Sequence, residues 1–193
     1  MNADHRTIIF ERLHAAVELP ARATANSAGY DLKAFLLGDP GVEVTVKLSL
    51  AGRQYERAVT QAVSQAVSQA VSQGATRGGE SATLELLAGE SAIIPLGFRA
   101  SLPVGYEAQI RPRSGTSFKT SLVIANSPGT IDPDYNGQWG VLVRNAGASP
   151  IVISHGERIA QMVITKYEVL EFTEGEVHRS TDRDGGFGST GHR

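Results

Sequence analysis

Three stretches of the chain concentrate arginine, glycine and hydroxyl side chains: Arg111-Pro112-Arg113-Ser114-Gly115-Thr116-Ser117, Gly156-Glu157-Arg158-Ile159-Ala160-Gln161 and Arg183-Asp184-Gly185-Gly186-Phe187-Gly188-Ser189-Thr190-Gly191. Guanidinium forks, together with backbone N–H groups left bare by Gly and Ser, give charge-assisted hydrogen bonds without steric obstruction, as a polyphosphate requires. Together the stretches predict an anionic ligand; each alone also reads as an ordinary turn or tail. No Walker A sequence and no Rossmann fingerprint, which needs a βαβ unit around its glycines, is present, so the phosphate loops belong to neither of those folds.

The acidic candidates are Asp31, in Ser27-Ala28-Gly29-Tyr30-Asp31-Leu32-Lys33-Ala34, and Asp132 with Asp134, in Gly129-Thr130-Ile131-Asp132-Pro133-Asp134-Tyr135-Asn136-Gly137. A carboxylate beside bound phosphates can hold a water as general base, or meet a hydrated Mg²⁺, which prefers oxygen ligands. Asp-Pro-Asp is equally turn chemistry. Asn126 carries a donor and an acceptor suited to a nucleobase edge, and Tyr135 and Phe187 can stack on rings.

The elements that must position these residues read as mostly β. Apolar residues recur at period two and are broken at short intervals by Gly, Pro, Asn and Asp. Candidate strands are Thr7–Phe10, Val42–Leu50, Ser91–Pro95, Tyr106–Ile110, Ser121–Ala125, Gly140–Arg144, Ile151–Ser154 and Ile159–Thr165, a pattern that favours a sandwich or barrel. One stretch departs from it. From Glu56 to Gln73 a tetrapeptide repeat places Val59, Val63, Val67 and Val71 four residues apart, a slowly drifting helical stripe. A strand suits this repeat poorly, because Val would share a face with Gln. The readings are a short helix or a mobile low-complexity loop, followed by a flexible 74–81 linker, so that 41–82 looks like an insertion.

Length and composition exclude other classes. The 193 residues carry a formal charge of −2, which disfavours a nucleic-acid binder, and no apolar run approaches the ~18 residues of a membrane span. The N-terminus lacks a secretory pattern, so the cytoplasm is expected. With no cysteine there is no thiolate zinc site or cysteine nucleophile, and the five histidines include no HExxH spacing.

Taken in order, SAGYDLKA at 27–34, RPRSG at 111–115, GTIDPDYNG at 129–137, GERIAQMVI at 156–164 and GGFGSTG at 185–191 resemble the five motifs of trimeric dUTP diphosphatases. The resemblance implies an all-β jelly roll, a distorted barrel, forming one domain over 1–193 with the inserted segment at 41–82 and a mobile C-terminal arm at 179–193. It implies a homotrimer whose shared sites hydrolyse dUTP to dUMP and pyrophosphate with Mg²⁺, keeping uracil out of DNA and supplying dUMP for dTMP synthesis.

By the same resemblance, Asp132 orients the attacking water toward the α-phosphorus. Tyr135 packs against deoxyribose and excludes a 2′-hydroxyl, and Asn126 bonds the uracil edge beside Thr130 and Ile131. Arg113, Ser114 and Gly115 contact the triphosphate, with Arg158 and Gln161 as further polar contacts. Asp31 meets Mg²⁺ through water, Phe187 covers uracil, and Gly188 and Ser189 form a γ-phosphate loop.

Two features depart from the family pattern. Arg183, which the resemblance makes a γ-phosphate contact, stands one residue closer to Phe187 than the usual arginine. The 41–82 segment is the other; it is expected to project from the barrel, where an unidentified protein partner could bind it. The rival readings are a dCTP deaminase-like enzyme, which needs a glutamate that Gln138–Asn145 does not supply, and a non-catalytic regulatory protein on the same scaffold.

Overall fold

The computed structural model describes residues 7–39, 42–62 and 81–178. In chain order the strands are β1 (Ile9–Arg12), β2 (Ala21–Arg22), β3 (Tyr30–Lys33), β4 (Thr45–Leu50), β5 (Arg53–Ala58), β6 (Thr60–Ala62), β7 (Ser81–Leu86), β8 (Ser91–Pro95), β9 (Phe98–Ser101), β10 (Tyr106–Arg111), β11 (Leu122–Ile124), β12 (Gly129–Ile131), β13 (Gly140–Asn145), β14 (Ile151–Ser154) and β15 (Arg158–Lys166). The only helix among the described residues, α1, is the six-residue Ser114–Lys119.

Two five-stranded sheets run in the orders β12-β10-β15-β3-β2 and β11-β13-β8-β4-β5, beside a three-stranded sheet β14-β7-β6 and the pair β1-β9. Alternation builds the core. In β8 and β13 every second side chain is buried, which turns Ala92, Ile94, Val141 and Val143 inward. Leu32, Leu36, Leu84, Leu86, Ile153 and Ile159 meet them in one cluster. β-branched and leucine side chains fit such a pleated, half-buried surface, so period two becomes a layered all-β fold.

Within the 41–82 segment the expected Val42–Leu50 strand is present as β4, Thr45–Leu50, but the start of the repeat differs from its expectation. Glu56–Ala58 end β5 and Thr60–Ala62 form β6, so the start of the repeat is strand, not helix. Tertiary pairing overrides the helical stripe: Val59 is buried and its N–H donates to the Val44 carbonyl at 2.8 Å. Nor does the described part stand clear of the barrel. β4 pairs with β8 through Leu48↔Ala92 and Ser49↔Ser91, and Val46 and Leu48 belong to the core. The rest of the repeat, residues 63–73, and linker residues 74–80 lie outside the described residues.

A buried carboxylate fastens this hairpin. Glu90, only 1% exposed, accepts Arg57 Nη2 at 2.7 Å and Arg57 Nη1 at 2.9 Å, the Tyr55 hydroxyl, and the Leu87 N–H at 2.7 Å. Burial alone would raise the Glu90 pKa. The bonds from Arg57, Tyr55 and Leu87 outweigh it and hold the carboxyl below its usual range.

Candidate active site

The β11–β12 connection builds one half of the site. β12 pairs antiparallel with β10, with Ile131 opposite Ala108 and Gly129 opposite Ile110, so the chain leaves the sheet at Asp132. A cavity of 260 Å³ there is lined by Asn126, Gly129, Thr130, Ile131, Asp132, Tyr135 and Gln138, with Ile93, Ile110, Gly140 and Leu142 as its apolar wall. Tyr135 is pinned by its hydroxyl, which donates to the Gln138 carbonyl at 3.1 Å, and its ring lies over Gly137, where a Cβ would stand 2.5 Å from the hydroxyl oxygen. Asp132 is exposed, and its carboxylate has no hydrogen bond or ion pair among the described residues. A half-apolar slot with two amides, Asn126 and Gln138, one aromatic wall and one free carboxylate can take a nucleoside and present a base to whatever it carries.

The second half gathers the ends of β3, β10 and β15. Arg111 stands opposite Gln161, and Gln161 opposite Asp31, so three sequence-distant stretches share one row of the sheet. Gln161 Nε2 donates to the Pro112 carbonyl at 2.9 Å. Its side chain occupies the space a Cβ on Gly29 would need, which is why glycine stands there. Asp31 Oδ1 accepts Arg113 Nε at 2.8 Å, and Oδ2 accepts Arg158 Nη1 at 3.2 Å. Beside them opens a crevice of 400 Å³ lined by Arg113, Gly115, Thr116, Lys119, Thr120, Glu157 and Arg158. Three cations, Arg113, Lys119 and Arg158, against two acids, Asp31 and Glu157, leave a net positive crevice suited to a polyanion.

The structure thus brings Asp31, Arg113, Arg158 and Gln161 together, with Ser114 and Gly115 opening α1 next to them. Asn126, Thr130, Ile131, Asp132 and Tyr135 form the other group. Arg183, Phe187, Gly188 and Ser189 lie outside the described residues. Lys119 and Thr120 are additions to the sequence reading, which held Thr116 in its first arginine-rich stretch. Ser114–Lys119 reads as a turn because Gly, Thr and Ser are poor helix formers, yet the three-residue spacing puts Thr116 and Lys119 on one helical face, with Thr120 at the extended C-cap just beyond.

The two halves share no lining residue. Ile131 lies beside Ala108, whereas Arg113 lies beyond the far end of β10; the strand from Ala108 to Arg111 alone covers about 10 Å at ~3.3 Å per residue.

The family model for dUTPase matches residues 80–191, more than half of the chain and four of the five motifs. The chain belongs to the dUTPase family. A deoxyuridine 5'-triphosphate nucleotidohydrolase of Rickettsia bellii is 51% identical over 109 residues, which is 56% of this chain and 73% of the relative. Among solved structures, a mutant dUTPase of Staphylococcus bacteriophage 80alpha with dUpNHpp superposes with a TM-score of 0.65 at 23% identity, over 96% of this chain and 99% of that one. A mutant dUTPase of phage phi11 of S. aureus, which coordinates a structural Mg(II) ion, covers 90% of this chain and 99% of its own at a TM-score of 0.61 and 21% identity. These likenesses identify the all-β architecture described above as the dUTPase jelly roll.

Dutpases generally depend on Mg²⁺, and the donor set here constrains how such an ion would sit. Among the described residues no cluster of three or more His, Asp or Glu side chains is placed to hold a metal. Both Asp31 oxygens already accept from arginine, each with lone-pair capacity to spare. The site therefore fits an ion that keeps its waters and takes phosphate oxygens, not a caged one.

Proposed function

We propose that the chain is a dUTP diphosphatase, hydrolysing dUTP to dUMP and pyrophosphate. The observation that carries this reading is the free Asp132 carboxylate at the mouth of a nucleoside-sized cavity, within a stretch matched to dUTPases. In the proposed mechanism Asn126 reads the uracil edge, flanked by Thr130 and Ile131, and the pinned Tyr135 ring supports deoxyribose and leaves no room for a 2′-hydroxyl. Arg113, Ser114, Gly115, Arg158 and Gln161 hold the phosphates. Asp132 orients a water in line with the α-phosphorus and takes its proton as the new P–O bond forms. The bond to the α–β bridging oxygen breaks, and pyrophosphate leaves. The rate enhancement comes from alignment and from cations already facing the developing charge. Mg²⁺, when bound to the triphosphate, supplies charge neutralisation, with Asp31 reaching its hydration shell.

Dutpases are generally trimers, and this chain's two separated half-sites fit that assembly: a homotrimer lets Asp132 of one copy face Arg113 of another. The 179–193 arm, with Arg183, Phe187, Gly188 and Ser189, is assigned the closing role over uracil and the γ-phosphate. A cytoplasmic location suits an enzyme of the nucleotide pool, and no helix among the described residues is long and apolar enough to cross a membrane. A deaminase reading lacks its proton carrier, since no glutamate lines the cavity around Asp132.

The test is incubation with dUTP, dCTP, dTTP and UTP plus Mg²⁺, resolved by chromatography. Formation of dUMP from dUTP, with the others intact, is expected. Ammonia from dCTP would establish the deaminase instead, and untouched dUTP the non-catalytic scaffold.

A further inference from the structure

The hairpin β4–β5 lays a second surface beside the nucleoside cavity. Leu142 stands opposite Ile93, Ser49 opposite both Ser91 and Gln54, and Lys47 opposite Glu56. Because Val46, Leu48, Ala92, Val141 and Val143 point into the core, these alternate side chains point outward from the sheet β11-β13-β8-β4-β5. Across them runs a groove of 490 Å³, lined by Ala92, Ile93 and Leu142 from the barrel and by Lys47, Tyr55 and Glu56 from the hairpin. Ile93 and Leu142 also wall the nucleoside cavity, so cavity and groove adjoin on one face, where Ile93 is half exposed. That face is the one a second copy must cover, since Arg113 of the same chain lies in the other half-site. The phosphate half of the second copy carries an exposed apolar group of its own. Helix α1 follows Arg113 directly, buries none of its side chains and leaves Phe118 91% exposed. At ~1.5 Å per residue, Phe118 stands about 7.5 Å along α1 from Arg113. β4 lies two strands from β13, about 10 Å at ~4.8 Å per strand, so one copy's Arg113 can reach the cavity while its Phe118 lies over the groove.

We propose that the groove between β8 and the hairpin β4–β5 seats Phe118 of a second copy of this chain, which makes the hairpin part of the frame that holds the two half-sites together. The inference rests on the proposed site between copies and adds to it a contact that the 41–82 segment supplies. Seating Phe118 against Ile93 and Leu142 removes two exposed apolar surfaces from water at once. The contact is head to tail, α1 of each copy on the hairpin face of the next, and three such contacts close a ring.

The chain has no cysteine, so introduced thiols report the contact without background. Phe118→Cys and Ser49→Cys are made as separate proteins, assembled together after mild denaturation and treated with a short bismaleimide. Val104→Cys, exposed on the β9–β10 turn, takes the place of Phe118→Cys as the control. Phe118→Cys with Ser49→Cys is expected to give linked pairs of chains on a denaturing gel, about fivefold or more above the control mixture. No such excess, in a mixture that assembles and turns over dUTP, overturns the proposal. An efficient link within one chain in a Ser49→Cys, Gln73→Cys double variant, with none to Phe118→Cys, overturns it too, because the rest of the insert then fills the groove. Phe118→Asp is expected to keep its fold, the side chain being exposed in the single chain, and to lose about tenfold in activity per chain at a dilution where the unsubstituted protein stays assembled. Activity equal to that of the unsubstituted protein at every dilution overturns the contact. An unsubstituted protein that is monomeric, or that leaves dUTP intact, would instead sink the reading on which the inference rests.

Discussion

Asp132 and Asp31 stand at opposite ends of the sheet β12-β10-β15-β3-β2, and the fold treats their carboxylates in opposite ways. Asp132 leaves a strand end exposed and unpaired, while Asp31 lies largely buried between two arginines. An unpaired carboxylate keeps all its lone pairs for a water and a proton; a doubly paired one has given part of them to structure. The difference separates a group that acts on the substrate from one that shapes its neighbours.

The largest effect should come from Asp132. Asp132→Asn is expected to lower kcat by about 10²–10⁴-fold with little change in KM, because the general base is lost while the phosphate contacts remain. Steady-state kinetics with dUTP checks it, and near-normal kcat removes Asp132 from that role. Next in size is Arg113→Ala, expected to cost kcat/KM about 10–100-fold through loss of a charged hydrogen bond worth about 1.5–3 kcal/mol.

Mixing these two impaired variants and measuring kcat/KM above their separate residual rates sharpens the contrast between the half-sites. If sites form between copies, random reassembly after mild denaturation places both intact residues in about a quarter of them and restores activity in that proportion. Sites built within one chain would stay at those residual rates.

Glu90 supplies the control, a carboxylate that serves only the framework. Glu90→Ala leaves Arg57 without its buried partner and is expected to cost about 3 kcal/mol of stability, the low end for a buried pair because Arg57 keeps some contact with solvent, with KM unchanged, followed through Trp139, the only tryptophan in the chain. The smallest effect concerns pH. Because Glu90 is held below its usual range when folded, its contribution is complete above the unfolded carboxylate value of ~4.3 and fades as pH falls through the folded one. Thermal melts should therefore drop on acidification below that value, and Glu90→Ala should flatten the slope.

Much of this was legible in the chain itself, for physical reasons that can be named. Strands such as Ser91–Pro95 and Ile151–Ser154 alternate buried and open positions, and their boundaries agree with the expected ones. Two motif glycines stand at close approaches that the sequence reading did not draw, Gly29 under Gln161 and Gly137 under Tyr135. What escaped notice lacks a local signal. β5, Arg53-Gln54-Tyr55-Glu56-Arg57-Ala58, buries almost nothing and is held by its partner β4 and by Glu90. Its hairpin turns on Ala51 and Gly52, with φ of 50° and 81°, the primed geometry usually marked by Asn-Gly and here disguised by alanine. Helix α1 was hidden because its six residues bury none of their side chains. The pairing of Asp31 with Arg113 and Arg158 spans 82 and 127 residues, a distance at which sequence shows the partners but not the meeting.

The pairing of β4 with β8 has a practical consequence for anyone who trims this protein. Excising the hairpin as a dispensable decoration would move the sheet's free edge from the polar β5 to β8, baring its backbone donors and acceptors beside Ile93, itself half open to solvent, as a template for any passing extended chain. A shortened version should therefore keep Thr45–Ala58 and cut later, or expect to collect as aggregate.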